Sequence, residues 1–145
     1  MKKISKQKKR TIEINKLLGL WSKIIRKNTP YCVWCGATDR LQAHHIVSRG
    51  ITKNNKHSWF LIENGMTLCY KCHMFRIKSD VDEYIKTRDD YLKSKNLNYF
   101  DMKKMYQVTS KLRNDDLALI RYYLNSFHYI FTPFSSQSAS KSCLI

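Results

Sequence analysis

The residues of this chain that could do chemistry are gathered between positions 31 and 79. Cys32-Val33-Trp34-Cys35 and Cys69-Tyr70-Lys71-Cys72 form two Cys-x-x-Cys turns with 33 residues between them. Four thiolates delivered by two such turns make the closed tetrahedral set that structural zinc prefers. Gly36 after the first pair permits the tight turn in which backbone amides approach sulfur. A zinc held there supplies about 10–16 kcal/mol of apparent binding energy to folding. The duller alternative is four reduced, metal-free cysteines. A zinc knuckle alone stabilises or binds, so any case for catalysis rests on the histidines.

His44 and His45 are adjacent, with Leu41-Gln42-Ala43 before them and Ile46-Val47 after, an alternation that reads as a short strand. Neighbouring strand residues face opposite ways, so one imidazole can hold an ion while the other addresses a water beside it. Asn64 stands 19 residues after His45, ahead of a short Met66-Thr67-Leu68 strand, and His73 follows Cys72 where a helix could begin. Successive helical residues diverge by about 100°, which lets Cys72 face zinc and His73 a second site. Taken singly, His44 and His45 also read as hydrogen-bonded structural histidines, and Asn64-Gly65 as a hairpin turn.

The order of these parts, Cys-x-x-Cys, Ala43-His44-His45-Ile46, Asn64 and Leu68-Cys69-x-x-Cys72-His73, resembles the HNH endonuclease family, in its zinc-bearing branch of the ββα-metal nucleases. The resemblance covers residues 32–73, about a third of the chain. It implies that His44 and His73 ligate one catalytic divalent ion (Mg2+, Mn2+, Ni2+ or Zn2+) and that His45 is the general base. It implies further that Asn64 orients His45, that Cys32, Cys35, Cys69 and Cys72 hold structural Zn2+, and that DNA is cut to 5′-phosphate and 3′-hydroxyl ends. The residue types suit the chemistry. Phosphodiester hydrolysis needs an activated water, stabilised phosphoryl oxygens and help for the departing oxygen, and a neutral imidazole beside a partly open ion can provide these.

The elements that position this centre are legible from periodicity. Ile14, Leu17, Leu18, Trp21, Ile24 and Ile25 recur at helical spacing until Pro30, so residues from about 11 to 28 read as an amphipathic helix. Asp80 and Glu83 read as a capping box ahead of a stripe of Val81, Tyr84, Ile85 and Leu92 that Arg88 interrupts. Tyr99, Met102, Met105 and Tyr106 mark a weaker helix, with Asn96 to Asn98 readable as loop. Asn114, Asp115 and Asp116 open another, whose apolar positions are Leu117, Ile120, Leu124 and Phe127. The expectation is an α+β protein. It comprises a basic arm and helix (1–30), the HNH core with its zinc knuckle (31–79), a helical extension (80–131) and a serine-rich, disordered tail (132–145).

Charge points to the partner. The 145 residues carry 27 Lys+Arg against 11 Asp+Glu, a net +16, of which residues 1–30 alone contribute +9. A polyanion fits such a front-loaded balance, because each phosphate neutralised releases counterions. Arg49, Lys53, Lys56, Arg76 and Lys78 flank the centre and could meet phosphates on either side of the cut, Arg49 and Arg76 first because they stand just past the His-His strand and His73; the duller reading of all five is ordinary surface charge. His57 reads as a solvated loop residue, His128 as helix surface, and Trp59 and Phe60 as cover for a small core rather than wedges between bases. No stretch approaches the roughly 18 apolar residues of a membrane span, and no secretory signal is visible. Paired cysteines then favour a reducing, intracellular compartment, with Cys143 left over. A homodimer is left open, with no heptad to support one. Two rivals remain beside DNA hydrolysis: a non-catalytic, zinc-stabilised nucleic-acid-binding module, and a recruitment protein that presents its aromatic-rich helices to another protein.

Overall fold

The computed structural model describes residues 5–130, the last three by their backbone alone. The serine-rich tail, Cys143 and the side chain of His128 lie outside the described residues. Helix α1 (Lys6–Asn28) leads through the cysteine loop into β1 (Leu41–His45). A long loop with two 3₁₀ turns, Lys56–Phe60 and Ile62–Asn64, returns to β2 (Gly65–Cys69). Next comes α2, a widely wound turn over Cys72–Arg76 that continues as Ile77–Ser79, and then α3 (Val81–Lys93), α4 (Tyr99–Gln107) and α5 (Asn114–Ile130). Helices around a two-stranded antiparallel hairpin make an α+β fold, as the sequence predicts. The register pairs His44 with Met66 and His45 with Gly65.

Helix α1 begins earlier than its apolar stripe, because the Ser5 hydroxyl accepts the Lys8 N–H and caps the basic first turn. Leu17, Trp21, Ile24 and Ile25 are buried against the hairpin. Their closest approach is at Gly65, where an added Cβ would lie 2.3 Å from Ile25 Cδ1 and 2.9 Å from Trp21 Cζ2. Gly65 is extended (φ −119°), so glycine is needed here for space and not for its backbone freedom. Leu117 and Leu124 of α5 are buried in the same apolar cluster as α1, with Ile120 and Phe127 beside them. Arg10 donates to Asn114 and to the Leu112 carbonyl, and Arg121 pairs with Glu13, which ties the amino-terminal halves of the two helices together.

The other face of the hairpin carries a second cluster. Ile46, Val47, Met66 and Leu68 join Cys32, Cys69 and Cys72 there, and Leu92, Met102 and Tyr106 close it from α3 and α4. Every residue of β2 is therefore buried. The weaker helix over Tyr99–Gln107 exists because Asn98 accepts the Phe100 and Asp101 N–H groups as its cap, while Met105 points to solvent.

Three local expectations are corrected. Asp80 makes no side-chain cap, since both carboxylates of the expected capping box, Asp80 and Glu83, are engaged by Arg76 instead. Val81 and Ile85 are exposed, whereas Arg88, the polar interruption, is buried with its guanidinium 3.6 Å from the centre of the Tyr99 ring and its Nε on Asp89. His57 is not merely solvated. Its Nδ1 meets the Ser110 hydroxyl at 3.0 Å and its Nε2 the Asp116 carboxylate at 3.2 Å, clasping the long loop to the start of α5.

Candidate active site and metal centre

The cysteine loop and the end of the hairpin bring the four thiols of Cys32, Cys35, Cys69 and Cys72 to within 4.8 Å of one another. Gly36, in the left-handed region at φ +75°, lets its N–H bond the Cys32 carbonyl, and Cys32 N–H bonds Ala37 in return. Val33 N–H donates to the Thr67 carbonyl, which pins the loop to β2. A tetrahedron with bonds of about 2.3 Å puts sulfurs about 3.8 Å apart, and Cys35 Sγ lies 3.7 Å from Cys69 Sγ. Burial pushes the Cys32 thiol up, but backbone hydrogen bonds from Cys69, Cys35 and Trp34 outweigh it and bring it down to about 7; burial and the neighbouring thiols push Cys72 up. Sulfurs this close can be ionised together only around a cation. The donor set, spacing and crowding all fit a structural zinc.

Arg76 roofs this knuckle. Its guanidinium lies 4.3 Å from the centre of the Trp34 ring and pairs with Asp80 at 3.3 Å and Glu83 at 2.9 Å. These contacts tie the cysteine knuckle to the start of α3.

The pleat of β1 separates His44 from His45. Gln42 and His44 lie on the face toward α2 and α3, and Ala43 and His45 on the face toward α1. The His44 and His73 rings are 5.0 Å apart, near perpendicular at 75°. Nitrogen–metal bonds of about 2.0–2.1 Å would put two imidazoles on one ion with centroids roughly 4.5–5.2 Å apart, so this pair could hold a metal. His73 Nδ1 sits 2.6 Å from Gln42 Oε1, and His44 Nε2 2.9 Å from the Tyr84 hydroxyl. Among the described residues the four cysteines are the one group of three or more metal-binding side chains, so an ion on His44 and His73 would keep its other positions for water and substrate oxygens.

His45 is seated from three directions. The Trp21 ring stacks on it at 4.1 Å and 13°, the Trp59 carbonyl accepts from its Nε2 at 2.9 Å, and Gly65 stands opposite on β2. Because a carbonyl can only accept, the proton is on Nε2 and the Nδ1 lone pair is open. Burial holds His44 down at about 3, with the His73 and His45 charges adding to it. Burial likewise lowers His45 to about 4 despite the Trp59 bond, and it lowers His73. All three are neutral bases at physiological pH.

Asn64 is fully buried but makes no hydrogen bond to the His45 side chain. Its Oδ1 accepts the Val47 N–H at 2.8 Å, and its Nδ2 donates to the Val47 and Ser58 carbonyls at 3.2 and 3.0 Å. It holds the loop that carries the Trp59 carbonyl, the hydrogen-bond partner of His45. Nor is Asn64-Gly65 a turn, since Gly65 begins β2. Arg49 lies 5.6 Å from the centre of the Trp59 ring and Lys56 5.5 Å, and the Arg49 charge reaches His45. Trp59 Nε1 bonds Thr52, which fixes the indole within the loop.

The segment bearing both sites, residues 32–75, matches the family model described as HNH endonuclease. Residues 32–75 are an HNH domain. No curated protein and no solved structure matches the chain. The HNH domain implies a nuclease or nucleic-acid-binding role with DNA as the substrate, and no helix among the described residues is long and apolar enough to cross a membrane. Two side chains at the HNH site, Trp21 and Tyr84, come from outside the matched residues. Sequence reasoning missed both, and Gln42 as well. For Gln42 a signal existed, because it precedes His44 by two strand residues and so shares its face.

Proposed function

We propose that this protein is a metal-dependent DNA endonuclease in which His45 is the general base. The observation that carries the reading is the tautomer imposed on His45: with Nε2 committed to the Trp59 carbonyl, a neutral imidazole offers Nδ1 to a water. Stacking on Trp21 fixes the plane in which that lone pair lies. His44 and His73 would hold a single divalent ion, which when bound supplies Lewis-acid stabilisation of the phosphoryl oxygens and the leaving 3′ oxygen. Two imidazoles favour Mn2+, Ni2+ or Zn2+ over Mg2+ by ligand softness.

The chain's own groups do the rest. Neutral His45 takes the proton of the attacking water, and the negative phosphodiester beside it raises its basicity from the low value set by burial. Arg49, whose charge already acts on His45, would contact the scissile phosphate. Arg76 drops out of that role, because Asp80 and Glu83 occupy its guanidinium. The four cysteines would carry structural zinc and take no part in the chemistry.

Cleavage of supercoiled plasmid by zinc-loaded protein, scanned over Mg2+, Mn2+, Ni2+ and Zn2+, tests the proposal beside His45→Ala of equal zinc content. Nicked or linear product from the wild type alone is the expected result. Protein that binds the plasmid but leaves it supercoiled with every ion is instead a zinc-stabilised binding module. Equal cutting by both proteins removes His45 from the mechanism.

A further inference from the structure

Tyr84 belongs to α3, outside the HNH match, and no turn of the cysteine loop or hairpin brings it to the site. Its hydroxyl nevertheless lies 2.9 Å from His44 Nε2, and its ring stands edge-on to that imidazole at 5.7 Å and 88°. The placement is built. Arg76 holds Asp80 and Glu83, and so fixes the first turn of α3 against the knuckle. Trp34, under the Arg76 guanidinium, lies 6.1 Å from the Tyr84 ring.

The two histidines of the pair are treated alike. A histidine that binds a metal through one nitrogen nearly always donates the other N–H to a fixed acceptor, which sets its tautomer and raises its basicity. For His73 that acceptor is Gln42 Oε1 on Nδ1, leaving Nε2 for an ion. For His44 the partner is the Tyr84 oxygen on Nε2, leaving Nδ1. With no third histidine, cysteine or carboxylate grouped with them among the described residues, affinity depends heavily on how these two rings are held.

We infer that Tyr84 is a positioning residue of the ion site, its phenol oxygen accepting the His44 Nε2–H so that Nδ1 is presented to the divalent ion. The inference rests on the nuclease reading for the existence of that ion. It makes the helical extension after residue 79 part of the site and not an appendage to it. Seating or unseating α3 would then tune ion affinity without altering any ligand.

The test uses the full chain loaded with zinc at the cysteines, titrated with Mn2+ and followed by electron paramagnetic resonance, beside Tyr84→Phe, which keeps the ring and removes only the hydroxyl. The expected result is Mn2+ binding weakened by roughly 10- to 100-fold, measured at a temperature where both Mn2+-free proteins remain folded, since the variant also melts lower once the His44 Nε2–H loses its acceptor. Nitrogen-15 spectra of the same protein should show His44 as the single Nε2–H tautomer, and a mixture in Tyr84→Phe. Mn2+ affinity within twofold of wild type overturns the inference and leaves the nuclease reading standing. An Nδ1–H tautomer in the wild type overturns it without any variant. A wild type that binds no ion beyond its structural zinc overturns both readings together.

Discussion

Replacing Trp21 separates what the amino-terminal helix contributes to stability from what it contributes to reaction. The indole is 2% exposed, donates Nε1–H to the Leu61 carbonyl at 3.0 Å and stacks on His45. In Trp21→Phe the aromatic face survives while the Leu61 carbonyl loses its donor, at a cost of about 1–3 kcal/mol in stability. In Trp21→Leu the stack goes as well. An aromatic pair is worth about 0.5–1.5 kcal/mol beyond its buried area. If all of that serves to orient His45, the rate of the chemical step falls roughly 2- to 12-fold, at about 1.36 kcal/mol per factor of ten. The assay pairs urea unfolding of the zinc-loaded proteins with single-turnover nicking at saturating ion, under conditions where both variants remain folded. Trp21→Phe should lose stability and keep its rate; Trp21→Leu should lose both. An unchanged rate in Trp21→Leu would refute the reasoning, for His45 would then be held by the Trp59 carbonyl alone.

Other outcomes follow from the same geometry. Stripping zinc with a chelator should abolish the cooperative unfolding transition, because the knuckle sulfurs, Met66, Leu68 and α3 share one cluster, and circular dichroism with zinc add-back checks this. Gly65→Ala should destabilise by about 1–3 kcal/mol through overpacking alone, since its backbone is already extended; a melt unchanged within error would mean that α1 yields. Deleting residues 1–9, which spares the Arg10 clasp on α5, should weaken DNA binding and reduce the slope of log K against log salt by about 0.9 for each phosphate left unneutralised. Fluorescence anisotropy over a salt series measures it.

The knuckle and the His-His strand are legible in the sequence because their information is local: ligand spacing, strand alternation and a turn glycine. Helix α1 is legible for the same reason, its stripe of Leu17, Trp21, Ile24 and Ile25 being periodic. What each helix touches is not. Trp21 reads as one more core residue, and nothing 24 positions before His45 marks it as a stacking partner. Tyr84 reads as part of an apolar stripe, yet its neighbours Val81 and Ile85 are exposed and its hydroxyl is the functional end. Arg76 reads as free charge because its carboxylate partners, four and seven residues on, fit a helix cap equally well. Asn64 stands out by type and position, but its bonds run to Val47 and Ser58 rather than to the histidine it is expected to orient.

Those bonds have a mechanical meaning. By gripping Val47 and Ser58 at once, Asn64 closes the long loop at its base, with Lys53 exposed on the stretch between. A load placed on Lys53 would meet this amide clamp before the carbonyl beneath His45. Substitutions at Lys53 can accordingly drift over generations, while Arg49 and Thr52, which act on His45 and on the Trp59 indole, cannot change without reaching the candidate site.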